Sequence, residues 1–327
     1  MTDESDAKPA AQVELDAQVK PAAQVKPAAK HKKSNALLNV MIAISAIAMI
    51  GALGLIAYPT FSDWWNRMHQ SYAVAGYVEQ TKDMSGAERK AMLKAAHEYN
   101  ERLAANGDRW HMTDAQKREY DETLDVTGTG IMGYVTIPRI KVKLPVYHGT
   151  SDGVLQIAAG HLAGTSLPVG GATTHAVVSG HTGLPSARLL TGLDELQKGD
   201  TFAFHVLDET YTYQVDQISV VLPSEISKLN IESGADYATL ITCTPYGVNS
   251  HRLLVRGHRI PNPKVPDKTQ YDEPGEMTAV AAAVIGLLVF VAGCAFVGLA
   301  RLWRRSWIVR HGLCAGAGAR HSSGVRG

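Results

Sequence analysis

The residues best suited to covalent chemistry lie in one predicted β-hairpin. Residues 237–243 (YATLITC) predict a strand, residues 244–250 (TPYGVNS) a loop of turn formers, and residues 251–257 (HRLLVRG) a returning strand. Paired strands lie about 4.8 Å apart, so this hairpin would bring Cys243 and Arg252 together across the loop. A fixed cation beside a thiol favours the thiolate and stabilises an oxyanion on an attacked carbonyl. The hairpin therefore predicts a reactive cysteine, although periodicity alone does not say which face of the strands is catalytic.

A thiolate nucleophile also needs a group that protonates the leaving amine and deprotonates the incoming one. Histidine does both near neutral pH. Among the 13 histidines, His181 is favoured because it follows the apolar strand AVVSG and opens the loop HTGLP. A simple hydrogen-bonding role in that loop stays open for it. His161, in GHLAGTS, is the first alternative, followed by His148 and His175.

The other cysteines do not offer Cys243 an obvious disulfide partner. Cys294 lies inside a long apolar run, and Cys314 lies in a basic tail. A lone thiol in a domain that faces an oxidising compartment argues against a disulfide. The structural alternative is that Cys243 is a small packed hydrophobe.

The elements that must position these residues are mostly short strands. They are predicted at residues 139–147, 174–179, 237–243 and 252–260, with two more within 201–222. Short helices are predicted near residues 187–196 and 223–229. Many short strands without a repeating βαβ unit predict a mainly antiparallel barrel or sandwich.

Two charge-free runs, residues 36–58 and 277–300, are each long enough to cross a membrane as a helix. Basic residues precede the first and follow the second, so both termini are expected in the cytoplasm and the middle of the chain outside. The alternative for the first run is a cleaved signal peptide. Residues 1–35 read as a disordered tail, 59–129 as a helical segment, 130–262 as the catalytic domain, 263–276 as a linker and 301–327 as a basic cytoplasmic tail.

Composition excludes several other function classes. The 327-residue chain has 45% hydrophobic and 19% charged residues with a formal charge of +1, which does not favour nucleic-acid binding. The scattered histidines and acidic residues predict no metal site, and no glycine-rich phosphate loop suggests a nucleotide cofactor. No cofactor is expected.

Several segments resemble the sortase family. TLITC resembles its TLxTC signature, Arg252 lies where the family has an essential arginine, and Ser179-Gly180-His181 resembles the segment with its histidine. Together with GYVTIPRIKVKLPVYHGTS, GHLAGTSLPVGG and TLITCTPYGVNSHRLLVRG, these segments are similar to class C, the pilus-assembling sortases of Gram-positive bacteria. The likeness is close over residues 130–260 and loose over residues 72–103.

This resemblance implies an eight-stranded sortase β-barrel with short helices, preceded by a helical segment and flanked by the two transmembrane helices. It implies cleavage of an LPxTG-like sorting signal after its threonine. Cys243 would form the thioacyl intermediate, His181 would be general acid then base, and Arg252 would hold the substrate and oxyanion. Thr242, Thr244 and Ser179 would contact the substrate. The acceptor would be a lysine amine of a pilin subunit.

The chain departs from class C in one region. These enzymes usually have a lid with an Asp-Pro-aromatic tripeptide over the cysteine, and residues 107–129 contain none. Asp108 and Trp110 are the candidates for a similar lid, in which the Asp108 carboxylate would lie near Arg252 and the Trp110 ring over the Cys243 thiol. The alternative for this region is a surface helix.

Three other functions remain to be distinguished. A papain-like peptidase would have its cysteine early in the chain and its histidine downstream, the reverse of the order here. A non-catalytic, doubly anchored surface module would need no reactive thiol. A sortase that anchors proteins to peptidoglycan would share the chemistry and differ in the acceptor amine.

Overall fold

The computed structural model describes residues 36–264, 271, 282, 283, 285–298, 300 and 301. The predicted tail at residues 1–35, the predicted tail at residues 301–327 apart from residue 301, and most of the predicted linker at residues 263–276 lie outside the described residues. The helices are α1 Ala36–Asp83, α2 Gly86–Ala105, α3 Asp114–Glu122 and α4 Asp152–Ile157. The strands are β1 Ile131–Ile137, β2 Val142–His148, β3 Ala159–His161, β4 Thr174–Ser179, β5 Thr201–Val206, β6 Glu209–Val221, β7 Asp236–Thr244 and β8 His251–Arg259.

The eight strands form a closed barrel in the order β1-β2-β3-β4-β7-β8-β6-β5. All neighbouring pairs are antiparallel except β2 with β3 and β4 with β7, which are parallel. Closure leaves no free sheet edge around the barrel. The predicted eight-stranded barrel is confirmed, and the sandwich alternative is wrong.

The barrel interior is filled by alternate side chains of its strands. Phe202 and Phe204 of β5 pack with Tyr213 of β6, with ring centroids between 5.7 and 6.1 Å apart. Leu240 of β7 and Val255 of β8 are cross-strand partners and are fully buried. Burying each large apolar side chain contributes about 1.5–3 kcal/mol, so this core stabilises the framework that holds the outer surface.

Helix α1 joins the apolar run at residues 36–58 to the barrel without a break. Its apolar part is long enough to cross a membrane and unburied, and the helix continues through Pro59 to Asp83. Near its end the Tyr77 hydroxyl donates to the Met132 carbonyl (3.1 Å) and accepts from the Leu207 N–H (2.7 Å). The first predicted span and the start of the helical segment predicted at residues 59–129 are therefore one element.

The second predicted span has only partial structural support. Within residues 277–300 the structure describes the apolar helix Ile285–Gly298, which is shorter than a bilayer-crossing helix requires. Among the described residues, α1 alone is long and apolar enough to cross a membrane. The prediction of two spans is not confirmed.

Helices α2 and α3 begin with reciprocal capping boxes. Ser85 and Glu88 cap α2, and Thr113 and Gln116 cap α3. Such caps satisfy backbone N–H groups that have no partner inside the helix. Within the predicted lid region at residues 107–129, α3 is a largely exposed helix, as the surface-helix alternative expects. Residues 106–113, which include Asp108 and Trp110, are irregular.

Sequence patterns misplaced some elements. Strand β1 was not predicted, and the strand predicted from residue 139 starts at Val142 because Pro138–Ile140 form a 3₁₀ turn that ends at Lys141 in the left-handed region (φ 55°). The helices predicted near residues 187–196 and 223–229 are reduced to the 3₁₀ turns Leu193–Glu195 and Ser227–Leu229. Gly192, in the left-handed region at φ 93°, precedes the first turn, and Pro223 opens the second region, so both favour tight turns over longer helices.

Candidate active site

Cys243 and Arg252 are directly opposed on β7 and β8. Their Cα atoms are register partners in the antiparallel pair, one residue from the loop that joins the strands. Opposed residues in such a pair have their Cβ atoms about 4.5–5.5 Å apart. The predicted hairpin is therefore confirmed, and it brings the thiol and the guanidinium side by side.

Both side chains belong to the outer face of the barrel. Leu240 on β7 and Leu253 on β8 belong to the main core, and successive strand residues point to opposite faces. Cys243 is an odd number of residues from Leu240, and Arg252 is adjacent to Leu253. The pair therefore faces outward, where Cys243 is partly exposed and open to a ligand.

The charge of Arg252 is held in place by backbone. One guanidinium nitrogen donates to the carbonyl oxygens of Asn249 (3.2 Å) and His251 (3.1 Å) in and beside the hairpin loop. Among the described residues no carboxylate forms an ion pair with Arg252. Its positive charge therefore stays available to an anion that forms next to Cys243.

His181 reaches this pair through the parallel pairing of β4 with β7. Ser179 is the register partner of Ile241, and the Gly180 N–H donates to the Ile241 carbonyl at 3.0 Å. Extending this register by two residues, past the end of β4, would place His181 beside Cys243 on the same outer face. From this register we infer that the predicted histidine lies near the predicted nucleophile, although 62 positions separate them in sequence.

The close approach at Gly180 requires glycine. A Cβ at this position would lie 2.8 Å from Cδ1 and Cγ of Leu190. The Leu190 N–H also donates to the His181 carbonyl at 3.1 Å. Residues 181–190 therefore form a loop closed at its base next to the histidine.

Thr242 does not line a groove on the outer face. It is 3% exposed, and its hydroxyl donates to the Gly180 carbonyl at 2.8 Å. Because it lies between the outward-facing Ile241 and Cys243, its side chain points to the barrel interior. The substrate contact expected of Thr242 is thus incompatible with this structure, in which it ties β7 to β4.

Ser179 and Thr244 are both partly exposed beside the candidate pair. Ser179 shares the outer face of β4 with Val177, which packs in an outer cluster. Thr244 ends β7 and is the register partner of His251. Both lie within the neighbourhood of Cys243, and their contact with a substrate stays a prediction.

Two of the alternative histidines, His161 and His175, are buried in the barrel and hydrogen-bonded to neighbouring residues. His161 is fully buried, and its ring contacts the Tyr120 hydroxyl (3.0 Å) and the Ser166 carbonyl (2.8 Å). Burial lowers the pKa of His161 to about 4, against a smaller opposite effect of the hydrogen bond with the Ser166 carbonyl, so the ring is neutral near neutral pH. Desolvation likewise lowers the pKa of the buried His175.

His148 is tied to backbone on both sides of its ring. Its ring nitrogens contact the carbonyl oxygens of Gly130 (3.0 Å) and Thr123 (2.8 Å). It therefore links β2 to the end of α3 and to the residue before β1. This framework role leaves His181 as the histidine best placed for catalysis.

Trp110 packs on the outer face next to the candidate site. Four buried residues form a small cluster there, which we call the outer-face patch: Val177, Leu229, Ile241 and Leu254. Trp110 packs against this patch, together with Leu162 and Val221. Because Ile241 precedes Cys243 by two residues and Leu254 follows Arg252 by two, the patch continues directly from the candidate pair.

Arg109 anchors the segment that contains Trp110. Its guanidinium donates to the carbonyls of Gly164 (3.1 Å) and Leu229 (3.0 Å) and to Oδ1 of Asn230 (3.2 Å). It also lies 4.5 Å from the Trp110 ring centroid in a cation-π contact. Burial lowers the pKa of Arg109, but an arginine keeps its charge in proteins. No sequence pattern singled out this residue.

The predicted contact between Asp108 and Arg252 is absent. The Asp108 carboxylate accepts from His111 at 2.8 Å, and its side chain is 67% exposed. Arg252 has only backbone acceptors among the described residues. Of the two lid candidates, Trp110 alone lies close to the site.

Two other features bear on binding. Within the described ranges, no three His, Cys, Asp or Glu side chains cluster as metal ligands would. A cavity of about 630 Å³ lies against the outer side of β1, β5 and β6, where Tyr134 stacks on His205, and none of the candidate catalytic residues lines it. The site is therefore identified by its chemistry and not by cavity size.

Known proteins are similar to the part of this chain that forms the barrel and contains the candidate site. A family model described as "Sortase domain" matches residues 135–260. The crystal structure of sortase C1 from Streptococcus agalactiae is 51% identical, with a TM-score of 0.58, and the match covers 59% of this chain and 100% of that one. Sortase C of Streptococcus pneumoniae, described in connection with pilin substrate specificity, is 45% identical with a TM-score of 0.53, covering 58% and 97%.

Two further matches extend this comparison. Clostridium perfringens sortase C, solved with the C-terminal cell wall sorting motif, is 40% identical with a TM-score of 0.52, covering 59% of this chain and 100% of that one. Among curated proteins, sortase A of Streptococcus agalactiae serotype III (strain NEM316) is 29% identical over 117 residues, which are 35% of this chain. The match spans about half, 47%, of that curated relative.

Proposed function

This chain belongs to the sortase family. From that premise we propose that it is a class C transpeptidase that joins pilin subunits at the outer face of the cell membrane. The observation that supports this most directly is the opposition of Cys243 and Arg252 on the outer face, with His181 beside them through the β4–β7 register. A thiol, a fixed cation and an imidazole are the three groups that acyl transfer through a thioester needs.

The first half-reaction makes the acyl-enzyme. The Cys243 thiolate attacks the scissile carbonyl carbon, and the carbon–sulfur bond forms as the carbonyl oxygen gains negative charge. Arg252 stabilises that oxyanion. The carbon–nitrogen bond then breaks, His181 donates a proton to the departing amine, and the thioester remains on Cys243.

The second half-reaction passes the acyl group on. An acceptor amine attacks the thioester carbon while His181, now neutral, takes its proton. The new amide forms, and sulfur leaves as the thiolate, which restores the starting state. The thioester conserves the energy of the cleaved amide, so the cycle needs no cofactor.

The proposed donor is an LPxTG-like sorting signal cut after its threonine. This proposal draws on the motif resemblance and on the relative from C. perfringens, which was solved with a sorting motif. Ser179, on the outer face of β4, and Thr244, partly exposed at the end of β7, are the proposed peptide contacts. Thr242 is left out of this set because its hydroxyl bonds Gly180.

The proposed acceptor is a lysine amine of the next pilin subunit, which would give an isopeptide-linked polymer. The resemblance to class C and the pilin specificity studied in the S. pneumoniae relative support it. Anchoring to a peptidoglycan stem amine is the second candidate, because both acceptors are primary amines and the chemistry is the same. Offering a pilin lysine and a stem amine in competition, and locating the new amide by mass spectrometry, decides between them.

The proposed topology has the barrel outside and both termini in the cytoplasm. Helix α1 supplies one anchor. The second span at residues 277–300, the linker at 263–276 and the cytoplasmic tails at 1–35 and 301–327 complete the proposed domain organisation around the catalytic domain at 130–262. A reporter that is active only in the cytoplasm, fused to the C-terminus, should be active; a silent reporter on a well-expressed protein contradicts two spans.

The test of the activity is a hydroxylamine trap. The full chain, incubated with a labelled LPxTG peptide and hydroxylamine, should release the peptide hydroxamate, and the Cys243→Ala variant should release none. A non-catalytic surface module would produce no hydroxamate from either protein. Hydroxamate formed at the wild-type rate by Cys243→Ala would overturn the proposal.

A further inference from the structure

The membrane-anchor helix contacts the loop that follows the candidate catalytic histidine. Just beyond the apolar run of α1, the Asp63 carboxylate accepts a hydrogen bond from the Arg188 N–H at 2.7 Å. One turn further on, the Asn66 side-chain amide donates to the Ser186 carbonyl at 2.7 Å. Two adjacent turns of the helix therefore hold the backbone of the loop at residues 181–190.

This loop transmits position to His181 because it is short and closed. The Leu190 N–H donates to the His181 carbonyl, and the Gly183 N–H donates to the Thr191 hydroxyl at 3.0 Å. Leu190 is fully buried in the main core, so the far end of the loop is fixed to the barrel. A shift of the backbone at Ser186 or Arg188 would therefore also move the backbone of His181, and with it the imidazole ring.

We propose that Asp63 and Asn66 are positioning residues for His181, so that the membrane-anchor helix forms part of the catalytic architecture. The proposal rests on the proposed function, since it assigns His181 the proton transfers. Neither residue touches the thiol or the substrate. They act by holding the loop backbone, and with it the ring, within reach of the leaving and entering amines.

The helix also provides a matched control. Gln70, one turn beyond Asn66, donates its side-chain amide to the Ile157 carbonyl at 2.8 Å. This bond joins the same helix to the barrel at the end of α4, away from the His181 loop. Gln70→Ala therefore removes an equivalent amide-to-carbonyl bond without changing the contact with the histidine loop.

A second variant separates charge from hydrogen bonding at Asp63. The carboxylate also pairs with Arg67 at 3.0 Å. Asp63→Asn removes the charge and keeps a carbonyl oxygen that can accept from the Arg188 N–H. Asp63→Ala removes both.

The experiment uses the full chain in lipid nanodiscs, with kcat and KM for LPxTG peptide and hydroxylamine. We expect Asp63→Ala and Asn66→Ala each to lower kcat about tenfold with little change in KM, because misplacement of a catalytic group by a fraction of an ångström affects the transition state most. Asp63→Asn should recover most of the lost kcat. Gln70→Ala should keep wild-type kcat despite a comparable fall in thermal stability.

The pH dependence of Cys243 alkylation by iodoacetamide provides a second readout, measured on folded protein. It should change in Asp63→Ala and Asn66→Ala, which alter the imidazole beside the thiol, and should match wild type in Gln70→Ala. Equal loss of kcat in Gln70→Ala, no recovery in Asp63→Asn, or wild-type kcat in both alanine variants overturns the inference. A wild-type chain that forms no hydroxamate instead contradicts the proposed function, and the alkylation profile then still tests the positioning.

Discussion

The hydroxyl of Thr242 donates a hydrogen bond to the carbonyl of Gly180 at 2.8 Å. Thr242 immediately precedes the candidate nucleophile, and Gly180 immediately precedes the candidate general acid. The bond passes between β7 and β4 on the inside of the barrel, while the two reactive side chains lie on the outside. It therefore helps to fix the spacing of Cys243 and His181, the candidate catalytic groups, from the inside of the barrel.

Loss of this bond should affect catalysis through geometry. Thr242→Val keeps the shape of the side chain but leaves the Gly180 carbonyl without its donor, at a cost in stability of about 1–3 kcal/mol. We expect kcat to fall about tenfold, with KM for the sorting peptide little changed. Thr242→Ser, which retains the hydroxyl, is the matched control and should keep most of the activity. A valine variant as active as the serine variant would show that the bond has no part in positioning.

Replacement of Arg252 should test its role at the oxyanion. Removing a donor that stabilises an oxyanion typically lowers kcat about 10²–10³-fold, and we expect a loss of this size for Arg252→Ala. Arg252→Lys keeps the charge but not the planar fork, so its activity should be intermediate. The control is Arg256→Ala, which alters the outer face of the same strand where Arg256 pairs with Asp216. Steady-state kinetics of hydroxamate formation separate the three variants.

Trp110 should restrict access to the thiol if the segment at residues 106–113 acts as a lid. Its ring packs on the outer-face patch that continues from Cys243. Trp110→Ala should therefore speed iodoacetamide alkylation of Cys243 severalfold. Asp108→Ala should leave the rate unchanged, because Asp108 pairs with His111 on the surface and not with Arg252. If the Trp110 variant is alkylated at the wild-type rate, with mass spectrometry confirming modification at Cys243, Trp110 does not act as a lid over the thiol.

His161 should make the barrel sensitive to mild acid. Its pKa is about 4 in the folded protein, mainly through burial, and about 6.5 in an unfolded chain. The unfolded state binds more protons between these values, so stability should fall by up to about 3 kcal/mol as the pH drops from about 7 to 4. His161→Gln should flatten this part of the pH dependence, as measured by thermal unfolding of the full chain in detergent. If the stability of the variant depends on pH as steeply as that of wild type, groups other than His161 cause the acid sensitivity.

The strand pattern predicted the catalytic hairpin because its information is local. Two β-rich runs on either side of a seven-residue loop rich in turn formers predict the hairpin, and with it the opposition of Cys243 to Arg252. The same applies to β4, whose apolar run ends just before His181. These predictions needed no knowledge of the barrel.

What the sequence did not predict depends on barrel closure and on distant contacts. The substrate contact of Thr242 was expected from the family resemblance, although alternation along β7 directs adjacent residues such as Thr242 and Cys243 to opposite faces. Asp63 contacts Arg188 across 125 positions, and Arg109 contacts Leu229 across 120. No periodicity encodes such pairs, since each is set by the packing of whole elements.

The uninterrupted course of α1 has a further consequence for how donor peptides are found. In the proposed topology, α1 continues without a break from the membrane to its bonds with the barrel at Gln70 and Tyr77, and it would hold the thiol at a fixed height above the lipid. Encounters with donors anchored in the same leaflet then become a lateral search in two dimensions, in which tethering raises the effective concentration. Peptides presented from the bulk phase would meet the same chemistry far less often.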